Sequence, residues 1–429
     1  MKQKIIDNFL EIIDEEMGVA QGCTEPIAGA YCGAIARDIL DAEIDRIVIT
    51  ASKNIIKNAR GVIIPKTKDL MGIKTSVAIG IIGGDASKEM EVLVDITEQN
   101  VIDTKALMDK DIIELKVSDS SAKLHMKVEL FSGDNSSSCE IMHTHTNIVE
   151  TTHNGETIIS NPTNEEDIND NLVTKEYLNI KNIYEFANEV KLDKLDIVKK
   201  QKEYNSEISK NGLTTPWGIQ VGLSNLEETE EMHLELDVRR KACATASSGS
   251  DARMNGCPLP VVTLNGSGNQ GICACMPIIT YGEYLESSEE KILRAMVFAD
   301  LVAIRLKLGV GRLSPLCGAT LAAIGAVSGI MYLYDNDLEM IGKMIKNSIA
   351  NNTGVICDGA KGSCALKIYT GVDAAILSAQ LADRGNVVPD GIGIVKEDLE
   401  ETIDALAEIS DAMDDVDDAI MHILYGIEK

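Results

Sequence analysis

Three cysteines carry the first chemical signal. Cys357 and Cys364 flank six residues of the glycine-rich stretch NNTGVICDGAKGSCALKIY (351–369), and Cys317 stands well upstream in GRLSPLCGATLAAIG (311–325). Ser314 followed by Pro315 predicts a helix start, which places Cys317 in a first turn; Ser363 predicts a cap with Cys364 just inside the next helix. The partial positive charge at a helix N-terminus favours a thiolate. Three thiolates suit a [4Fe–4S] cluster with one open iron. Zinc more often takes four ligands from close-spaced pairs. Three thiols packed as small apolar groups form the third reading. Spacing alone leaves all three open. The ten cysteines stand in a chain whose N-terminus, MKQKIIDNFLEIIDEEM, shows no secretory pattern. A reducing, cytoplasmic setting is the expectation, with free thiols rather than disulfides.

Other residues add polar chemistry. Cys23 and Glu25 precede an apolar run in GCTEPIAGAYCGAIARDIL (22–40), with Thr24 expected as the cap. The same helix-end argument would lower the Cys23 pKa and make it an acid–base candidate. SKNIIKNARGVIIP (52–65) offers Lys57 as a base and Asn58 as a substrate contact. MHTHTNIV (142–149) offers His145, expected on a strand with His143 on the same face. GSDARMNG (249–256) holds Asp251 and Arg253; a guanidinium grips a carboxylate with two parallel hydrogen bonds. NGSGNQG (265–271) spells G-x-G-x-x-G with Gly266, Gly268 and Gly271. The β-branched, proline-containing ICACMPIITY that follows argues against the helix a dinucleotide site needs. An anion-holding nest for a substrate carboxylate remains, with Ser267, Gly268, Asn269 and Gln270 supplying donors.

The positioning elements follow from periodicity. Helices are expected at 3–17, 22–40, around 175–190 and 220–238, and then at 288–308, 315–334, 338–350, 371–383, 397–412 and 414–426. DRIVITAS (45–52) and KLHMKVELF (123–131) read as strands, and 139–160 as a hairpin turning at Asn154-Gly155. TSVAIGIIGGD (75–85) and EMEVLVDI (89–96) fit strand or helix equally. The expected fold class is α+β: a helical cluster-binding domain with an α/β region inserted between N-terminal helices and a C-terminal helical part. The expected division is 1–60, 61–240 and 241–429, the last being the iron–sulfur part.

Composition bounds the partners. The chain has 429 residues and a formal charge of −28, which excludes nonspecific binding to nucleic acid or to an anionic membrane surface. Uncharged apolar runs are too short to span a bilayer. With 45% hydrophobic but only 3% aromatic residues, the core must be aliphatic.

Taken together, GCTEPIAGA, DARMNG, GSGNQG, SPLCGAT and GVICDGAKGSC resemble the L-cysteine desulfidases over nearly the whole chain. They are more distantly similar to the α-domain of iron–sulfur L-serine dehydratases. The resemblance implies an oxygen-sensitive lyase that converts L-cysteine to pyruvate, ammonia and sulfide by β-elimination. It implies a [4Fe–4S] cluster held by Cys317, Cys357 and Cys364, with Cys23 also at the site. A homodimer is a further expectation. An iron–sulfur L-serine dehydratase, a noncatalytic iron–sulfur sensor and a zinc-stabilised structural protein are the rival readings.

Overall fold

Amphipathic and apolar segments at both ends of the chain fold as helices around a sheet built from alternating ones. The computed structural model describes residues 1–162, 173–231 and 237–426. The first part runs α1 (Gln3–Glu16), β1 (Met17–Gln21), α2 (Thr24–Leu40), β2 (Arg46–Ala51), α3 (Lys53–Ala59), α4 (Ile73–Gly83), α5 (Glu98–Asp109), β3 (Ile113–Val117), β4 (His125–Ser132), β5 (Asn135–Met142), β6 (Ile148–His153) and β7 (Glu156–Ser160). Strand order is β3-β2-β4-β5-β6-β7. The β2–β3 pair is parallel and the others are antiparallel. Along β4 the alternation read from KLHMKVELF sends Met126, Val128 and Leu130 into the core. They meet Ala28, Cys32 and Ala36 of α2, with Val77 and Ala78 of α4 in the same cluster. The ambiguous 75–85 is thus largely helix. The equally ambiguous 89–96 is neither strand nor α-helix; it is 3-10 and turn structure.

The helical part comprises α6 (Ile180–Glu189), α7 (Asp196–Gly212), α8 (Val221–Glu231), α9 (Val238–Met254), β8 (Pro260–Leu264), α10 (Gly268–Tyr284), α11 (Glu289–Lys307), α12 (Gly318–Leu333), α13 (Leu338–Asn352), α14 (Cys364–Asp383), α15 (Leu399–Asp411) and α16 (Asp414–Tyr425). Residues 232–236 of the helix expected over 220–238 lie outside the described residues. The largest core cluster joins α9 to α14 through aliphatic contacts, as the low aromatic content requires. This is an α+β architecture, with helical segments flanking a mixed sheet. Among the described residues no helix is long and apolar enough to cross a membrane.

Three sequence expectations fail locally. ICACMPIITY is helical despite its β-branched residues and internal Pro277, because α10 is buried along most of its length and packing overrides propensity. The glycine motif therefore does join a strand to a helix, but β8 pairs antiparallel with β1 in a two-stranded sheet, without a parallel βαβ unit. His143 and His145 lie in the turn between β5 and β6, not on a strand, and His143 has φ 64°. Helix α12 starts at Gly318, so Cys317 is its cap residue; α2 starts at Thr24, with Cys23 in the cap position.

Candidate active site

Short backbone ties bring distant loops together. Leu316 bridges Ile356, the Cys317 N–H donates to Val355 O (2.9 Å), and the Cys357 N–H donates to Pro315 O (2.6 Å). Gly61 bridges Lys361. A small apolar cluster of Cys23, Val62 and Met254, with Ala360 and Cys364 against it, fastens the start of α2 to the end of α9. Between these segments lies a cavity. Cys23, Lys57, Asn58, Arg253, Ser267, Asn269, Gln270, Cys317, Cys357 and Cys364 all line it.

Glu25 organises one wall. It accepts from the Cys23 thiol (3.1 Å), the Thr24 hydroxyl (3.2 Å) and Asn58 Nδ2 (2.9 Å). Burial opposes its ionisation, but attraction to His145, and then hydrogen bonds from Cys23, its own backbone and Asn58, hold the carboxyl below the usual range. Cys23 behaves in the opposite way from the helix-end expectation. Burial, and then the Glu25 charge, push its thiol well above the usual range, so it is a neutral donor. His145 does not line the cavity. It is buried beside Gly266, its Nε2 lacks a partner, and burial pushes its pKa down to about 4, with Arg312 and Arg253 adding to the effect and Glu25 opposing it.

Arg253 forms the opposite pole. It is 2% exposed and has no acidic partner among the described residues; its one side-chain bond goes from Nη1 to Asn269 Oδ1 (3.2 Å). Nε and Nη2 are buried without an acceptor. Gly268 makes room for it, since a Cβ there would stand 2.3 Å from Arg253 Nε. Ser267 spends its hydroxyl on capping α10 by accepting from the Gln270 N–H (3.4 Å), so the loop is a helix cap before it is an anion nest. Gln270 Oε1 accepts from Asn265 Nδ2 (3.1 Å). Asp251 does not line the cavity, and its carboxylate accepts from the Gly222 N–H (3.2 Å). Lys57 donates to Asp417 Oδ1 (2.5 Å) on α16, an ion pair that fixes the position of its amine.

The sequence reading missed Lys307, Arg312 and Asn54, which also line the cavity. Lys307 donates to Ser314 Oγ (2.7 Å), and burial pushes its pKa down to about 8. Arg312 pairs with Glu16 (2.9 Å). Lys307 ends a largely buried helix that also buries Asp300 and Arg305, so nothing in its sequence context set it apart.

The thiols require a correction. Cys317, Cys357 and Cys364 face one cavity, but among the described residues no group of three or more His, Cys, Asp or Glu side chains is arranged to hold a metal ion. Burial, then repulsion from Cys357 and Cys364, pushes Cys317 up to about 11; burial and Cys357 likewise raise Cys364. Desolvation thus outweighs the helix-end effect that was expected to ionise them. This overturns the expected [4Fe–4S] cofactor with Cys317, Cys357 and Cys364 as ligands. With it go the iron–sulfur, metal-binding description and the L-cysteine desulfidase mechanism through a cluster. The iron–sulfur dehydratase, iron–sulfur sensor and zinc readings lose their ligand set by the same finding. Anaerobic iron and sulfide analysis of wild type and Cys317→Ala checks the correction directly. Iron present in the first and lost from the second would reverse it.

Residues 87–422 match the family described as serine dehydratase alpha chain, so the fold is that of an enzyme family. The chain is 41% identical over 428 residues to a UPF0597 protein of Lachnoclostridium phytofermentans, covering 99% of this chain and 100% of the relative. It is 39% identical to a UPF0597 protein of Fusobacterium nucleatum, over 98% of this chain and 99% of the relative. The match to a UPF0597 protein of Treponema denticola is 38%, over 97% of each chain. End-to-end similarity of this extent places the chain in the UPF0597 family, related through residues 87–422 to the serine dehydratase alpha chains.

Proposed function

We propose that the protein is a lyase that eliminates a leaving group from the β-carbon of a small carboxylate substrate. With a thiol leaving group it is a carbon–sulfur lyase; with a hydroxyl it is a dehydratase, the activity named by the matching family. The observation that carries this reading is Arg253: a buried guanidinium on a cavity wall, without an acidic partner among the described residues and with two nitrogens that lack an acceptor. A buried unpaired charge is costly, and a carboxylate ligand supplies the missing partner.

The cavity has groups for the remaining steps. Lys307 has a pKa near the range a general base needs, and its hydrogen bond to Ser314 orients the amine. In its neutral form it takes the α-proton. The C–X bond to the β-carbon breaks as the double bond forms, and X departs with the electron pair. The Lys57 ammonium, fixed by Asp417, faces the same cavity and stabilises the developing negative charge. The unsaturated product tautomerises, and with an amino substituent it is hydrolysed by water to a 2-oxo acid and ammonia.

The test is 2-oxo acid formation from a panel of L-serine, L-threonine, L-cysteine and D-glycerate, coupled to a reductase that consumes a nicotinamide. Arg253→Gln is expected to raise KM by roughly 100-fold, the loss of a charged, two-pronged hydrogen bond. A panel without turnover, or an unchanged KM in Arg253→Gln, refutes the reading.

A further inference from the structure

The cavity also holds unused acceptors. Asn54 and Asn58 stand four residues apart on α3, so they share one helix face. Both line the cavity and both are more than nine-tenths buried, at 8% and 7% exposure. The Oδ1 atom of each lacks a hydrogen-bond partner. For Asn58 the amide orientation is fixed by chemistry: its other terminal atom meets Glu25 Oε1, a carboxylate oxygen that only accepts, so the atom facing Glu25 is nitrogen. The oxygen left over must receive a proton from something else or stay dry, which is costly in a buried site.

We propose that Asn54 and Asn58 are specificity-determining residues, and that their amide oxygens receive the α-ammonium of a zwitterionic ligand whose carboxylate lies on Arg253. This rests on the reading of the cavity as a small-acid site and names what distinguishes its ligand. A plain carboxylate satisfies Arg253 and leaves both oxygens unpaired. An α-hydroxyl carries one proton and serves one of them. An ammonium carries three, serves both and brings a positive charge toward the Glu25 carboxylate. Discrimination of this kind, in which the wrong ligand leaves a buried polar atom unpaired, is steeper than any achieved by size alone.

The test uses probes that lack a leaving group, so binding is measured apart from turnover. L-alanine, L-lactate and propionate are titrated into the full-length protein by calorimetry. L-alanine is expected to bind at least about tenfold more tightly than L-lactate, since one oxygen stays unpaired with the latter. Asn58→Ala and Asn54→Ala are each expected to shrink that ratio while leaving propionate affinity within about twofold. Asn54→Ala is the second arm because it does not disturb the Asn58–Glu25 bond. Equal affinity for alanine and lactate in the wild type, no binding of any probe, or a ratio preserved in both variants overturns the proposal. Selective alanine binding without turnover of any substrate in the panel sinks the lyase reading and leaves this one standing.

Discussion

Replacing Lys307 with methionine is expected to make the protein more stable and less active at once. The side chain is buried at the end of α11, and its pKa falls from 10.5 to about 8. That depression corresponds to ~3 kcal/mol of penalty for holding the charged form inside the fold. Methionine has a similar volume and no charge, so it removes the penalty at little packing cost. Ser314 loses one incoming hydrogen bond, worth roughly 1 kcal/mol, but keeps its own bond to Leu316 O. The expected net gain at pH 7 is therefore about 2 kcal/mol.

The pH dependence identifies the cause. Below pH 8 the lysine is protonated in both states and the penalty is constant. Between about 8 and 10.5 the unfolded chain binds the proton more tightly than the folded one, so wild-type stability rises with pH. The variant's advantage should vanish across that window. Urea unfolding at pH 7 and pH 10.5 measures both ends. Turnover should fall by about 10²- to 10⁴-fold in the variant, the usual loss of a general base. Wild-type kcat/KM should climb as pH passes 8. A destabilised variant at pH 7, or an advantage independent of pH, would refute the burial argument; retained turnover would refute the assignment of the base.

Four further substitutions separate structural roles from functional ones. Asp300 is wholly buried, with its pKa raised to about 7 by burial against one bond from Gln201 (2.9 Å), so wild-type stability should fall as pH climbs from about 4 to 7. Asp300→Asn should flatten that slope in urea unfolding; an unchanged slope refutes the cause. Asp417→Asn leaves Lys57 buried without its counter-charge and should cost ~3 kcal/mol. Asp418→Asn, which opens the half-exposed pair with Lys53, should cost less than about 1 kcal/mol, and equal losses would contradict the difference in burial. Gly318→Ala places a methyl 2.6 Å from Gln270 Nε2. Its expected effect is a several-fold rise in KM with a change in unfolding free energy under about 1 kcal/mol, and an unmoved KM would exclude Gln270 from the ligand contacts.

The C-terminal helices were legible because caps and spacing agree. Ser288 and Asp337 each accept from an N–H three residues on, and the helices they open run close to the expected bounds. By contrast α7 was missed and α9 was not anticipated over most of its length, because polar and small residues fill them. In α9, Ser247, Ser248 and Ser250 are wholly buried, a pattern that hydropathy reads as surface. Ser247 Oγ is satisfied locally by Cys243 O (2.8 Å) and Ser248 Oγ by Thr245 O (3.0 Å), which lets two of the three be buried cheaply; Ser250 Oγ has no partner. Motifs drew attention to most residues that line the cavity, but not to what those residues do there. Whether Lys57 is free or paired depends on Asp417, 360 residues away in the chain. Whether Cys23 and Cys317 ionise depends on desolvation, which is decided by every segment folded over them.

The cavity's charges also bear on the chain's acidity. Glu25 is the one acidic side chain on its lining among the described residues, against Lys57, Arg253, Lys307 and Arg312. Asp417 and Glu16 neutralise two of the four from outside the lining. Arg253 and Lys307 have no such acid among the described residues, so near neutral pH the site itself carries a positive excess in a protein of formal charge −28. A plain carboxylate is drawn to that excess at Arg253 but leaves the Asn54 and Asn58 oxygens dry. A zwitterion separates its two ends inside, with the carboxylate toward Arg253 and the ammonium toward Asn54, Asn58 and Glu25. Screening confines exposed charges to about 8 Å at physiological salt, so the choice between the two ligands rests on the cavity's own groups rather than on the chain's total charge.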